Sequence, residues 1–275
     1  MNSSKNMLTH AFCRKHHWTG LLVAVLFVAP LIWLLLGSLQ LPGQSTGPLP
    51  LLPNPFTLAN YVQIFQLYDL AHPLLNSALI ALITMSLTII SASAAGFALA
   101  QLPGRLRQPL VLMTMALMVV PLPALWLPRF VIFSAIGWVD NLMALIVPSL
   151  MGSSPFFVLL YYLTFRRISV NLFDAAHLDG AGHFKTWWRV ALPLARTTTT
   201  VVTVLTFALY WNDYMNALIY IRSEALYTLS LRLQQFMTQD IGHQPLAMAA
   251  AVLAIVPVLL SFLWIQRNIW PDTRS

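Results

Sequence analysis

Residues 166–196 read RRISVNLFDAAHLDGAGHFKTWWRVALPLAR, a polar and basic stretch between two long apolar runs. Its punctuation is that of two short helices. Asn171 can cap a helix whose first turn carries Asp174, a position that suits the positive end of the helix dipole. Leu172, Ala175, Ala176 and His177 continue that helix. Gly180 and Gly182 are expected to end it, because glycine takes the left-handed geometry of a helix C-terminus at little cost. A second helix is expected over residues 183–190. On it Phe184, Trp187 and Trp188 are spaced i, i+3, i+4 and so share one face, with Lys185 and Arg189 on another. Leu192-Pro193-Leu194 closes the segment. Physically this is either a helix–turn–helix offering an aromatic knob to a groove on a partner, or an amphipathic segment lying on a membrane surface.

The flanking runs settle the class. Working outward, apolar stretches occupy residues 142–165 and 197–221, then 110–133, 76–102, 18–39 and 247–265. Each is close to the roughly 20 residues that cross a bilayer core as a helix, and each is apolar all round. Pro121, Pro123 and Pro128 crowd the third run, and Pro148 and Pro155 interrupt the fourth. Neighbouring helices in a membrane bundle can satisfy the backbone groups that proline frees. Of the 275 residues 58% are hydrophobic and 8% charged, against about 25% charged in a soluble domain. That excludes a soluble enzyme and a disordered chain. A lone cysteine excludes a disulfide scaffold and cysteine-rich metal sites. The expected fold is all-α with six spans, and a strand-alternating barrel is excluded.

Orientation follows from the basic residues. Twelve of the fifteen fall on one side: Lys5, Arg14 and Lys15; Arg105 and Arg107; Arg166, Arg167, Lys185, Arg189 and Arg196; Arg267 and Arg274. The opposite side holds Arg129, Arg222 and Arg232. Cytoplasmic loops carry the basic excess, so both termini are expected inside. The net charge of +7 is this topological bias and not a nucleic-acid-binding surface. The first run is too long for a secretory signal core and is read as an uncleaved span. The expected organisation is a cytoplasmic tail over residues 1–17, a transmembrane domain over 18–265 containing the loop 166–196, and a cytoplasmic tail over 266–275. Cys13 then faces the reducing side and has no assigned role. The outward loop 40–75 contains Pro55-Phe56-Thr57-Leu58-Ala59-Asn60-Tyr61, expected as a short helix or turn at the outer surface.

Asp174-Ala175-Ala176, Asp179-Gly180-Ala181 and Leu192-Pro193 together resemble the EAA loop of ABC importer permeases. That family's pattern runs Glu-Ala-Ala, three residues, Gly, about nine residues and an apolar-x-Leu-Pro ending. Gly180 follows Ala176 at the matching offset. The Asp-Gly-Ala continuation resembles the carbohydrate-importing branch of maltose-type and glycerol-3-phosphate-type permeases. Asn76-Ser77, Trp211-Asn212 and Tyr227-Thr228-Leu229 are also similar to that branch, so the likeness covers most of the chain. Asp174 departs from the usual Glu by one methylene, and the branch's glycine-rich tail after Gln266-Arg267 is missing.

The resemblance implies a permease subunit of an ATP-driven, binding-protein-dependent importer in a bacterial inner membrane, forming half of the path for a sugar or sugar-like solute. It implies a second related permease chain, two ATPase subunits and an external solute-binding protein. ATP-driven movement of the 166–196 loop would rock the bundle between inward-open and outward-open states. Coupling would fall to Asp174, Ala175, Ala176, Asp179, Gly180, Ala181, Phe184, Trp187, Trp188, Leu192 and Pro193. No phosphate loop, H-E-x-x-H or nucleophile elbow occurs in the sequence, so no catalytic or metal-ligating residue and no cofactor are expected here. ATP and magnesium would belong to the partner chains, and membrane lipid would surround the spans.

One charge lies inside an apolar run. Asp213, in the sequence Trp211-Asn212-Asp213-Tyr214, sits about 12 Å from the outer end of the fifth span if the helix is continuous. Ionisable groups at such depth face a cavity or a partner. The four residues are therefore candidate substrate-pathway residues, with either solute contact or a gate or interhelical lock open at this stage. Alternatives are an importer permease for amino acids, polyamines or phosphate esters, and an ion-driven secondary transporter. The latter would favour internal repeats and more intramembrane carboxylates.

Overall fold

The computed structural model describes residues 3–41, 55–67, 69–150, 154–239 and 244–269, with backbone alone at 3–19, 21 and 265–269. Among them there are helices and no strands. The order is α1 (Ser3–Ser38), α2 (Ala59–Leu67), α3 (Ala71–Gln101), α4 (Gly104–Leu117), α5 (Trp126–Ala135), α6 (Met143–Ile146), α7 (Pro155–Arg167), α8 (Val170–Leu178), α9 (His183–Thr186), α10 (Leu192–Leu194), α11 (Arg196–Trp211), α12 (Tyr214–Tyr220), α13 (Leu229–Gln239) and α14 (Gln244–Ile269).

The apolar runs become helices, but three of the six are not single rods. Among the described residues, α3 and the Gln244–Trp264 part of α14 are the continuous helices long and apolar enough to cross a membrane, and the apolar half of α1, Leu22–Ser38, is shorter. Between α4 and α5 the chain bends by 93°, where Pro121 and Pro123 each lack the N–H that a helix needs. In the fourth run a 3-10 turn at Val147–Ser149 follows α6 and α7 starts at Pro155; residues 151–153 lie outside the described residues. The fifth breaks at Asn212 and Asp213. Pro30 and Pro257 are carried inside α1 and α14 without ending them. The expected tail 1–17 is mostly part of α1, and α14 runs to Ile269, past the expected end of the last span at residue 265. Residues 42–54 and 68 of the outward loop 40–75, and the last residues, 270–275, lie outside the described residues.

The chain forms two compact units, one from Met1–Asp69 and Gln235–Leu253, the other from Leu70–Gln234 and Ala254–Ser275. In the first, the sequence Pro55–Tyr61 clasps the end of α1. Fully buried Asn60 donates through Nδ2 to the carbonyls of Ser38 (2.9 Å) and Gln40 (2.6 Å), oxygens that a helix end leaves without partners. Tyr61 Oη and Ser38 Oγ are 2.7 Å apart.

In the second unit α3 is central and packs on α7 and α11. Ala92, Gly96 and Ala100 recur every four residues along α3, and a Cβ on Gly96 would stand 2.7 Å from Tyr161 Cβ and 2.8 Å from the Tyr162 nitrogen. Small residues on one stripe let helix backbones approach closely, as membrane helices do. Around that contact lies a core of Phe97, Phe157, Tyr161, Phe165, Phe173, Trp187 and Val202. A second core at the other end of α3 contains Ile80, Phe133, Leu145, Tyr220 and Leu231. Many large apolar side chains remain exposed, among them Leu79, Leu112, Val131, Leu209 and Leu260, as suits a chain solvated by lipid.

Candidate functional site

The segment 166–196 folds as a crosswise hairpin. Helix α8 is turned 81° from α7, and the run from α9 to α10 is turned 83° from α11. The first corner is made by extended backbone at Ile168 and Ser169. Ser169, not Asn171, therefore occupies the N-cap of α8: the extended conformation ends two residues earlier than the side-chain preferences imply, and Ser169 makes no side-chain cap bond.

The turn between the two helices follows from Gly180. Its φ is +76°. The Ala181 N–H bonds the Ala176 carbonyl at 2.9 Å and the Gly180 N–H bonds the His177 carbonyl at 3.0 Å. This pair of bonds is the Schellman closure, which needs a left-handed residue at the position of Gly180 and pairs the residue after it with one three from the helix end. The spacing Ala176, Gly180, Ala181 is thus a geometric unit. Gly182 differs from expectation: its φ is −68° and it serves as the extended N-cap of α9, so it starts the second helix and does not end the first.

The second helix also differs. It continues beyond Val190 to Leu194, and residues Trp187–Ala191 form a π-helical turn. Such a turn holds more residues than an α-turn, so Phe184, Trp187 and Trp188 do not share a face. Trp187 is 6% exposed in the core, while Phe184 is 74% and Trp188 51% exposed. Trp187 touches both, with ring centroids 5.4 Å from Phe184 and 5.6 Å from Trp188. It supports the knob from behind. Phe173 anchors α8 in the same way, meeting Phe97 edge-on at 5.7 Å. Asp174, Ala175 and Asp179 are exposed, Leu192 is half-buried and Pro193 exposed. Leu178, which the sequence did not single out, is 89% exposed beside the turn.

The second candidate region is the break between α11 and α12. Asp213 does not sit in a continuous helix; it is the N-cap of α12. Its Oδ1 accepts from the Asn216 backbone N–H at 3.2 Å, and Asn216 Nδ2 donates to Oδ1 at 3.0 Å and to Oδ2 at 2.8 Å. Trp211 is buried, stacks on Phe207 and donates from Nε1 to the Ala254 carbonyl of α14 at 2.9 Å. Asn212 is exposed and bonds the Ala208 carbonyl of its own helix. Tyr214 packs against the second core. Of the four residues, Asp213 lines a cavity of about 220 Å³, together with Arg129, Tyr210, Asn216 and apolar side chains including Leu145, Phe157 and Leu209. Arg129 escaped the sequence reading because it was counted only for its side of the membrane, although a lone arginine within an apolar run is itself a signal.

Two further sequence features meet in space. Asn76 Nδ2 donates to the carbonyls of Ala225 (2.9 Å) and Tyr227 (3.1 Å), and the Leu229 N–H donates to Ser77 Oγ at 2.8 Å. Near them Asp140, a non-glycine residue at φ 61°, ties the loop before α6 to the one after α12. Its carboxylate accepts from the Ser223 hydroxyl and from the backbone N–H groups of Ser223 (2.8 Å) and Arg222 (2.9 Å). The Ser223 hydroxyl above all, then these two N–H groups, hold the Asp140 carboxyl below its ordinary pKa.

A chain built of broken apolar helices around a crosswise hairpin is a membrane permease of the transport-system type. It belongs to the family of binding-protein-dependent transport system inner membrane components, whose family model matches residues 88–275. Over 90% of its length it is 32% identical to the sulfoquinovosyl glycerol transport system permease protein SmoH of Agrobacterium fabrum, covering 87% of that protein. It is 29% identical to the trehalose transport system permease protein SugB of Mycobacterium tuberculosis, over 93% of this chain and 94% of that one. Its fold is similar to a chain in the crystal structure of a bacterial ABC transporter involved in the import of the acidic polysaccharide alginate, with a TM-score of 0.76, 19% identity and 97% and 98% of the two chains covered. The chain is thus a permease subunit, a non-catalytic part of its transport system.

Proposed function

We propose that this chain forms half of the translocation path of a bacterial inner-membrane sugar importer, with six spans and both termini in the cytoplasm. The proposed assembly pairs it with a second, homologous permease chain, two ATPase subunits that bind ATP and magnesium, and an external solute-binding protein. The relatives named for sulfoquinovosyl glycerol and trehalose support a sugar or sugar-like solute. Counting each bent helix pair as one span gives up to five, besides the apolar half of α1, which is compatible with six.

The observation that carries the reading is the hairpin 166–196. It lies across the ends of α7 and α11, carries the densest cluster of basic residues, and exposes Leu178, Phe184 and Trp188 on a scaffold fixed by the Gly180 turn. Apolar side chains at such exposure, on the side assigned to the cytoplasm, suit a groove on an ATPase subunit. Asp174, Ala175, Ala176, Asp179, Ala181, Leu192 and Pro193 shape the hairpin, and Trp187 carries motion from the knob into the core. At the other end, Asp213 borders the solute path, while Trp211, Asn212 and Tyr214 hold the broken helix in place.

The test is uptake by proteoliposomes containing the transporter purified through a tag on this chain. The reading expects co-purifying ATPase chains and sugar uptake that requires both internal ATP and an external binding protein. Uptake driven by an ion gradient without ATP would overturn it. Cysteines at Gly47 and Lys185 test the orientation: an impermeant thiol reagent should reach the first in intact spheroplasts and the second only after lysis.

A further inference from the structure

The cavity beside the α11–α12 break holds two polar groups with unspent hydrogen-bonding capacity. Arg129, half-buried in α5, has five guanidinium donors. Among the described residues it makes no hydrogen bond and no ion pair within 4.0 Å, the Asp213 carboxylate included. Asn216, on the same cavity, has a buried Oδ1 with no hydrogen-bond partner. Its orientation is fixed: turning the amide over would bring Oδ1 against the Asp213 carboxylate in place of the Nδ2 donor.

Asp213 attracts Arg129 across the cavity but forms no ion pair with it within 4.0 Å. Its Oδ1 and Oδ2 each accept from Asn216, and it caps the positive end of α12. A neutral solute entering the cavity would displace water from the guanidinium and supply no countercharge. Desolvating an unpaired charge in this way is costly. An anionic group would replace the water with a bidentate pair, for which the planar fork of arginine is suited. A hydroxyl next to that anion would meet the unsatisfied acceptor of Asn216. Phe157 and Leu209 supply apolar wall for the C–H face of a ring. At roughly 30 Å³ per water, the cavity has the volume of about seven waters, which is the scale of one sugar ring.

We propose that this cavity binds the anionic substituent of an acidic sugar, with Arg129 gripping the anion and Asn216 Oδ1 accepting from an adjacent hydroxyl. The proposal rests on the importer reading and narrows its solute to sugars bearing a carboxylate, sulfonate or phosphate.

The intact transporter, purified in detergent with its partner chains, would be titrated with sodium glucuronate, glucose and sodium phosphate at constant ionic strength, with thermal unfolding as the readout. Wild type should bind glucuronate at least about tenfold more tightly than glucose, the scale of a hydrogen-bonded charge pair. Arg129→Gln should abolish that preference, and Arg129→Lys, which keeps the charge and loses the fork, should reduce it. Equal affinity for glucose and glucuronate in wild type would overturn the proposal, as would a preference that survives Arg129→Gln. Phosphate binding as tightly as glucuronate would overturn the sugar part and leave a bare anion site. ATP-dependent uptake by wild type tests the importer reading separately. Its failure beside an intact glucuronate preference would remove that reading and not the site.

Discussion

The hairpin 166–196 and the loops around Asp140 are both corners of the same helical unit, and they are held in opposite ways. The hairpin is fastened by packing: Phe173 and Trp187 plug into the core, and the side-chain hydrogen bonds of Thr186 reach no further than the Ala181 and Gly182 carbonyls. The Asp140 corner is fastened by directional bonds between residues far apart in sequence: Asp140 to Arg222 and Ser223, Asn76 to Ala225 and Tyr227, Ser77 to Leu229. Packing contacts weaken gradually as elements slide. Hydrogen bonds have a defined geometry and break in discrete steps. A corner built on packing suits an element that is pushed by a partner, and a corner built on bonds suits one that holds a state until it is released.

The largest effect should come from removing the plug. Trp187→Ala deletes a buried indole and should cost about 3–5 kcal/mol of stability. The measurement is the thermal midpoint of the purified transporter, with ATPase chains lost from the complex as the hairpin loosens. A small shift would mean that the hairpin is not anchored by packing.

Gly180→Val should cost less, about 1–2 kcal/mol, because a β-branched residue is forced into left-handed backbone with no clash against its surroundings. The expected result is a transporter that inserts and assembles but imports poorly while its ATPase chains still hydrolyse ATP. Wild-type uptake by this variant would break the link between turn geometry and coupling.

The smallest effect should come from acid. The Asp140 carboxyl has its pKa lowered by the fold, so its contribution is present above the unfolded value of about 3.9 and is lost as pH falls through the lowered folded value. Hydrogen exchange at the Arg222 and Ser223 amides, corrected for intrinsic rate, should stay slow at neutral pH and speed up only in strongly acidic buffer. Asp140→Asn should exchange faster at neutral pH. Release of these amides between pH 6 and 7 in wild type, about two units or more above the ordinary carboxylate pKa, would contradict the latch.

The same contrast explains what the sequence disclosed. The turn at Gly180 was legible because a Schellman closure is local and needs a glycine at one position. The apolar runs were legible as helices, but a span tolerates prolines such as those at 121 and 123, and the bend they make was not legible. Trp187 misled because the i, i+3, i+4 rule assumes an α-turn, and the π-turn that buries it answers to packing against α3. The break at Asn212 was hidden by its apolar surroundings, although Asp213 and Asn216 stand at the spacing of a cap. Asp140 was invisible as a functional residue because its partners, Arg222 and Ser223, lie some 80 residues away in the loop after α12, and Arg129 was counted only for its side of the membrane.

The proposed docking of the exposed hairpin knob on an ATPase subunit can be measured directly. The direct measurement is cross-linking from Phe184→Cys, in a Cys13→Ser background, with a bifunctional reagent joining the new thiol to neighbouring amines in the purified transporter. Leu112→Cys on α4, also exposed, serves as the control. An adduct containing this chain and an ATPase subunit is expected from Phe184→Cys and none from Leu112→Cys. No adduct from the first, or equal adducts from both, would contradict the docking.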